Sequence, residues 1–152
     1  MSQKEERFKS YVAVYLIPIK DGQILLSRRY NTGYQDGNYS LVSGHLEGRE
    51  TTKQGIIREA REEANIIVSP EDLEVVHVMH RLSPLSPNRE YFDIFLKAKK
   101  WTGEITNMEP DKCDELKWCE LSDLPVNVVP EVKLALENIK NNLFYGEIGW
   151  IV

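Results

Sequence analysis

The sequence predicts an α+β domain in which a mixed β-sheet carries helices on both faces. Short runs rich in β-branched and aromatic residues recur along the chain, and turn-forming residues separate them, as strands and turns require. Two longer segments lack internal Pro and consist mostly of good helix formers. Strands therefore precede the first helix and lie between the two helices, an order typical of a mixed sheet between helices.

The N-terminal part of the chain predicts three strands. The pair Asp21-Gly22 lies between two apolar runs and is a strong hairpin signal. A polar, glycine-bearing loop covers residues 30–38. The predicted strands are residues 11–19, 23–29 and 39–42.

The first helix is predicted over residues 52–64. Thr51 and Thr52 stand where it begins, and such side chains accept hydrogen bonds from the free N–H groups of a helix start. A loop that contains Gly44 and Gly48 leads into this start. Residues 69–72 then predict a turn or a single helical turn.

The rest of the chain predicts three more strands and a C-terminal helix. Residues 83–88 form a Pro/Ser loop near a pocket mouth, and residues 101–111 form an irregular loop. Pro130 suits the first position of a helix over residues 130–142, and we expect the tail 144–152 to pack on the core. The predicted strands are residues 73–82, 90–99 and 115–121, and the buried stripe of the helix is Val132, Ala135, Leu136 and Ile139.

Composition and charge limit the classes of function. The 152 residues suit one domain, residues 1–152, and the net charge of −5 argues against a binder of nucleic-acid polymers. No apolar run approaches the roughly 20 residues that span a bilayer, and the polar N-terminus lacks a signal peptide. We therefore expect a cytoplasmic protein without a membrane partner, and Cys113 and Cys119 as free thiols. The oligomeric state stays open, with a homodimer as one option.

The first helix carries an acidic face. Glu59, Glu62 and Glu63 stand at i, i+3 and i+4, so their side chains share one side of the helix. One interpretation is a solvated or protein-contacting face paired with Arg58 and Arg61. The other is a site for a hard cation, because Mg²⁺ and Mn²⁺ prefer carboxylate oxygens. The glycine-bearing loop favours the second, since its backbone can approach the same carboxylates and phosphate oxygens.

The spacing of these residues resembles the Nudix box. In that box a Gly is followed after five residues by Glu, after seven more by Arg-Glu and an apolar residue, then by Glu-Glu and a Gly. The chain matches with Gly44, Glu50, Arg58, Glu59, Ala60, Glu62 and Glu63. It departs at Asn65, where the family has Gly, and Asn is the other residue that readily ends a helix in the left-handed conformation. It also has Ser43 where another Gly is frequent. The resemblance implies an α/β/α sandwich.

The resemblance implies hydrolysis of a nucleoside diphosphate linked to a further group, with Mg²⁺ as cofactor and Mn²⁺ as an alternative. By position, Glu59, Glu62 and Glu63 match the metal-binding carboxylates, and either Glu59 or Glu62 would orient or deprotonate the attacking water. Arg58 would hold Glu50 and so join the loop to the helix. The implied metal ligands further include the Gly44 backbone, and the irregular loop offers Glu109.

Two segments outside the box resemble MutT-like proteins. Arg28 matches an Arg that meets the nucleotide, and Asn127 matches an Asn that recognises a purine edge. Residues 80–82 lack the features of the ADP-ribose and dinucleoside-polyphosphate classes. The expected function is a MutT-like nucleoside triphosphate pyrophosphohydrolase, with oxidised purine nucleotides such as 8-oxo-dGTP as candidate substrates. The alternatives are a hydrolase of another conjugate, such as a nucleotide sugar or ADP-ribose, and a sensor that binds a nucleotide without cleaving it.

Overall fold

The computed structural model describes residues 4–85 and 89–151 of the chain. Within these ranges it has eight strands, two α-helices and one turn of 3₁₀ helix at Pro70–Asp72. The strands are β1 (Tyr11–Lys20), β2 (Gln23–Arg29), β3 (Tyr39–Ser40), β4 (Ser43–His45), β5 (Leu73–Ser83), β6 (Arg89–Ala98), β7 (Cys113–Glu120) and β8 (Tyr145–Ile148). The helices are α1 (Thr52–Ala64) and α2 (Pro130–Lys140).

The strands form a mixed sheet. Their order is β3-β2-β1-β6-β5-β8, while β4 pairs with β1 and β7 pairs with β2. The pairs β1–β6 and β5–β8 are parallel, whereas β1–β2, β1–β4, β2–β3, β2–β7 and β5–β6 are antiparallel. Asp21 (φ 53°) and Gly22 (φ 76°) both take positive φ in the β1–β2 hairpin, as a tight primed turn requires.

Strand β1 divides the core into two layers. Ala13, Tyr15 and Ile17 pack in the cluster that contains residues of α2, whereas Val14 and Leu16 pack in the cluster that contains residues of α1. This alternation follows from the period of two along a strand that is buried on both faces. The prediction of an α+β fold, with a mixed sheet between helices, is confirmed.

The bounds of α1 follow from its caps. The side-chain oxygen of Thr51 accepts a hydrogen bond from the Gln54 N–H (3.1 Å), and the Gln54 side chain accepts one from the Thr51 N–H (2.8 Å). At the other end Asn65 takes the left-handed conformation (φ 56°) that the family's Gly position requires. The helix therefore begins and ends where the sequence predicts.

The structure differs from the prediction near the glycine loop and at the tail. The predicted strand 39–42 ends at Ser40, and β4 forms instead, because the backbone around Gly44 pairs with Val14 of β1. The tail adds β8 in parallel to β5, while Phe144 and Tyr145 remain more than half exposed. Residues 86–88 of the predicted Pro/Ser loop, residues 1–3 and residue 152 lie outside the described ranges.

Both cysteines are free, as predicted, and the structure shows that both are buried. Among the helices that the structure describes, none combines the length and the apolar character needed to cross a membrane.

Candidate active site

The cavity of the site lies where β1 and β2 diverge. These strands pair only at Ile19–Ile24 and Lys20–Gln23, because the N-terminal half of β1 pairs with β4 instead. The gap holds a cavity of about 670 Å³. Its walls include residues of all the described strands except β8, together with α1, the start of α2 and the loops before β3 and β7. A cleft of this size suits a small-molecule ligand.

Glu63 is the carboxyl group of the cavity whose pKa is raised most. Its Oε2 accepts a hydrogen bond from the Ser43 N–H (3.1 Å), which joins the last turn of α1 to β4. Burial, together with the negative charges of Glu59 and Glu109, raises the pKa of Glu63 to about 9. A proton on Glu63 can be shared with Glu59. These carboxyl groups therefore need either a proton or a cation between them.

Gly44 lets the loop approach Glu59 closely. A Cβ at this position would lie 2.1 Å from both Cδ and Oε1 of Glu59. Burial raises the pKa of Glu59, although the charge and hydrogen bond of Arg58 oppose this effect. Only Gly leaves room for the backbone and the carboxylate at this point.

Arg58 joins the loop to the helix. Its Nη2 and Nε donate to the two carboxylate oxygens of Glu50 (2.8 and 3.2 Å), and Nη2 also donates to the His45 carbonyl (3.2 Å). Its Nη1 donates to Glu59 Oε1 (2.7 Å) and lies 3.4 Å from Glu62 Oε2. The guanidinium of Arg58 holds the pKa of Glu50 below its ordinary value. Arg58 thus orders the acids around it.

Glu109 reaches the cavity from a loop that docks on the end of α1. The Met108 N–H donates to the Glu63 carbonyl and the Thr106 N–H to the Ala64 carbonyl, both at 3.0 Å. The Asn107 side chain accepts from the Glu109 N–H (3.1 Å) and donates to the Cys113 carbonyl (2.7 Å). Although this loop has no regular secondary structure, these bonds place Glu109 beside Glu63.

The donors in the cavity fit a hard divalent cation. Glu59, Glu63 and Glu109 contribute carboxylate oxygens, and the Ser43–Gly44 backbone adjoins them. Glu62 lies on the more exposed side, with half of its side chain accessible. Among residues 4–85 and 89–151, no three His, Cys, Asp or Glu side chains form a complete cage for an ion. Mg²⁺ is usually held by one or two carboxylates, waters and substrate phosphates, so a complete cage is not required.

The structure brings Arg29 rather than Arg28 to the cavity wall. Successive side chains alternate along β2, so Ser27 and Arg29 line the cavity while Arg28 does not. Arg28 instead pairs with Asp114 (2.6 Å) and Glu115 (3.1 Å) of β7. The expected nucleotide contact of Arg28 therefore stays a prediction, with its guanidinium already engaged.

Asn127 also lies away from the cavity lining. Its side-chain amide donates to the Gly37 carbonyl (2.9 Å), and its own carbonyl accepts from the Tyr39 N–H (2.8 Å). These bonds fasten the loop before β3 to the segment before α2. Among the described residues that line the cavity, Asn127 is not present, so its purine contact likewise stays a prediction.

The cavity also contains two charged residues, Arg81 and Glu131, that the sequence does not mark as site residues. Arg81 and Glu131 are only 7% and 4% exposed, and both line the cavity. Arg81 donates from Nε and Nη2 to the buried Asp93 (2.6 and 3.0 Å). The sequence does contain a signal for Arg81 and Asp93, because both are charged residues on strands that otherwise bury apolar side chains. Glu131, next to the predicted stripe residue Val132, had no comparable signal.

The chain is similar to proteins of known structure and to curated proteins. It matches the crystal structure of a MutT NUDIX hydrolase from Burkholderia pseudomallei with a TM-score of 0.78 and 25% identity, over 86% of this chain and 98% of that one. It matches the solution structure of the Escherichia coli ORF135 protein with a TM-score of 0.74 and 25% identity, over 88% and 90%. It is also 27% identical, over 113 residues, to an NAD-capped RNA hydrolase NudC from Pseudomonas putida. That match covers 74% of this chain and 37% of that protein, so the chain spans well under half of this curated relative.

A model of the NUDIX domain matches residues 9–140. This stretch contains both helices, the glycine-bearing loop and every carboxylate of the cavity. Because the match covers most of the chain, and the box residues surround one cavity, the protein belongs to the NUDIX domain family.

Proposed function

We propose that the protein is a hydrolase that uses a divalent cation to cleave a nucleoside triphosphate into a nucleoside monophosphate and pyrophosphate. One observation carries the proposal: three carboxyl groups, Glu59, Glu63 and Glu109, meet the Ser43–Gly44 backbone inside a cavity large enough for a nucleotide. Three negatively charged carboxylates repel each other, so their cluster is suited to binding a cation or a proton.

Nudix proteins generally use a divalent metal such as Mg²⁺. In this chain Glu59, Glu63 and Glu109 would hold it, with Glu62 and the backbone near Gly44 as further ligands. A cation there would polarise a phosphate and lower the pKa of a water molecule. Ser43 keeps Glu63 aimed at the loop through its N–H, and Arg58 keeps Glu59 in place.

Two basic side chains in the cavity suit the phosphates. Arg29 and Lys112 line it, and in the described part of the chain neither forms an ion pair with a carboxylate. The guanidinium of Arg29 is oriented by hydrogen bonds to the Tyr34 carbonyl (2.6 Å) and Thr32 Oγ1 (3.0 Å). Cations beside a carboxylate cluster, but not paired with it, would neutralise the charge of a bound triphosphate.

Glu62 is better suited than Glu59 to accept a proton from the attacking water. Glu59 is held by Arg58 at 2.7 Å and is largely buried, whereas Glu62 is half exposed and lies 3.4 Å from the same guanidinium. A general base needs a free lone pair near the nucleophile, and Glu62 has fewer competing contacts. We therefore assign the general base to Glu62.

A substrate panel tests the proposal. Nucleoside triphosphates, 8-oxo-dGTP, ADP-ribose, nucleotide sugars and NAD-capped RNA would be incubated with Mg²⁺ and, separately, with Mn²⁺. We expect pyrophosphate release from triphosphates, with 8-oxo-dGTP included among the substrates. Turnover confined to ADP-ribose or a nucleotide sugar would favour the conjugate alternative, and binding without turnover would favour a sensor.

NAD-capped RNA belongs in the panel because of the similarity to the NudC proteins. Preferential cleavage of that substrate would contradict both the triphosphate assignment and the expectation, drawn from the net charge, that no nucleic-acid polymer binds. The cytoplasmic location remains a prediction.

A further inference from the structure

Glu131 is a buried acid in the substrate cavity without a role in the chemistry described above. It follows Pro130 in the first turn of α2 and is 4% exposed. It nevertheless lines the same cavity as Glu59 and Glu63. A carboxyl group in such a position is costly to bury unless something hydrogen-bonds to it.

The protein itself satisfies Glu131 only weakly. The Tyr34 hydroxyl lies 3.4 Å from Oε1 and 3.3 Å from Oε2, both long for O–H donation to a carboxylate. Within the described residues no Lys, Arg or His forms an ion pair with Glu131. Apart from the contact with its own backbone N–H, the carboxyl oxygens of Glu131 therefore remain able to accept hydrogen bonds from a ligand in the cavity.

Arg81 adds a donor to the same cavity, close enough to Glu131 for its charge to act on that carboxyl group. Its Nε and Nη2 are committed to Asp93, and Tyr91 packs on its guanidinium at 4.1 Å from the ring centroid. The N–H groups of Nη1 have no protein acceptor among the described residues. Burial raises the pKa of Glu131, and the positive charge of the nearby Arg81 opposes this effect. The cavity thus presents a carboxylate acceptor near a guanidinium donor.

We propose that Glu131 is the residue that selects the nucleobase, and that it selects guanine and guanine derivatives. The two neighbouring N–H donors of guanine, at N1 and the 2-amino group, match the two oxygens of one carboxylate. The adjacent O6 is an acceptor for Arg81. This assignment rests on the proposed function, because it places the triphosphate at the carboxylate cluster of α1.

The other bases match this pair poorly. Adenine turns the N1 lone pair toward the carboxylate, and cytosine offers one amino donor beside an acceptor nitrogen. Uracil has one N–H between two carbonyl groups. A buried polar group left without its partner is a strong source of discrimination. 8-Oxoguanine has the same N1, 2-amino and O6 groups as guanine, so Glu131 and Arg81 would bind the two bases equally well.

The test compares GTP with ITP, whose base lacks only the 2-amino group. We expect the wild-type kcat/KM for GTP to exceed that for ITP by about tenfold or more, the size of one charge-assisted hydrogen bond. In Glu131→Gln the ratio should fall to about threefold or less, because the amide has a single acceptor oxygen. Glu137→Gln, on the exposed side of the same helix, should retain the wild-type ratio.

Failure of the Glu131 assignment and failure of the proposed function give different results. Equal wild-type rates on GTP and ITP, or an unchanged ratio in a folded Glu131→Gln protein, would overturn the assignment while leaving the hydrolase intact. If the wild type cleaves no triphosphate, the proposed function fails. Calorimetry then decides the role of Glu131, through the ratio of the dissociation constants of GMP and IMP in the wild type and in Glu131→Gln. The wild-type comparison of GTP with ITP applies even if the variant does not fold.

Discussion

At the scale of single residues, the carboxyl of Glu63 has the environment that says most about the site. It is partly buried beside Glu59 and Glu109, and among the described residues the Ser43 N–H donates a hydrogen bond to it. A fold that needed only stability would place an apolar or amide side chain there. The arrangement is unfavourable in the free protein and becomes favourable when a cation binds, which is typical of a site selected for function.

The first prediction concerns the pH dependence of the metal-free protein. Because the pKa of Glu63 is raised from an ordinary 4.5 to about 9, the folded state retains a proton that the unfolded state releases. This contribution to stability is fully present below pH 4.5 and is lost as the pH rises toward 9. In EDTA the melting temperature should therefore fall with rising pH, and less steeply in Glu63→Gln.

Addition of Mg²⁺ should reverse this trend. The cation competes with the proton on Glu63, so it should raise the melting temperature of the wild type more at pH 8.5 than at pH 5.5. An equal metal shift at both pH values, or an equal shift in Glu63→Gln, would show that the cation binds elsewhere.

Arg58 gives a second prediction at the same scale. Arg58→Ala removes the hydrogen bonds to Glu50 and Glu59 and leaves both carboxylates without the guanidinium that pairs with them. We expect a loss of about 2 kcal/mol in the free energy of unfolding, since these are partly buried charge-assisted bonds. Urea denaturation measures it. Arg61→Ala, an exposed Arg one turn further on, should cost under about 0.5 kcal/mol, and equal losses in the two variants would contradict the role given to Arg58.

At the scale of elements, α1 is the support of the site, and its two ends are fastened differently. The start is closed by the capping box of Thr51 and Gln54. The end is closed by Asn65, whose side chain also donates to the Glu104 carbonyl (2.9 Å) in the loop that carries Glu109. The departure from the family's Gly thus adds a contact between helix and loop.

The third prediction separates these two contributions of Asn65. Asn65→Gly keeps the left-handed conformation but loses the bond to Glu104, so we expect a change within about 1 kcal/mol. Asn65→Ala loses the hydrogen bond to Glu104 and also disfavours the left-handed conformation, so it should lower the free energy of unfolding by about 1–2 kcal/mol more. Thermal unfolding of the two variants checks this order, and the reverse order would mean that the cap conformation is unimportant.

The fourth prediction concerns the contact between β4 and α1. Gly44→Ala would place a methyl group against the Glu59 carboxylate, at 2.1 Å from its Cδ, so Glu59 must move. We expect kcat/KM to fall by about 100-fold with a small change in melting temperature, because the displaced atoms belong to a side chain rather than to the backbone. Retained activity would mean that the position of Glu59 is not critical.

At the scale of the whole molecule, local signals predict the helices and most strands, whereas long-range contacts decide the site. The bounds of α1 follow from its caps, and the box residues meet as their spacing predicts. The resemblance points to Arg28, whereas the structure brings Arg29 to the cavity, because the face of β2 that lines it is decided by long-range packing. Glu131 could not be found, because its place depends on how α2 packs across the diverging strands.

The most direct test of the central claim is the measurement of pyrophosphate released from a nucleoside triphosphate, with 8-oxo-dGTP in parallel, by wild type and Glu63→Gln. We expect release by the wild type that requires Mg²⁺ and stops with EDTA. In a folded Glu63→Gln protein we expect a rate at least about 100-fold lower. Glu71→Gln, an exposed acid outside the cavity, should match the wild type. Metal-independent release, or equal rates in wild type and Glu63→Gln, would contradict the claim that the carboxylates of α1 and the Glu109 loop form a metal-dependent hydrolytic site.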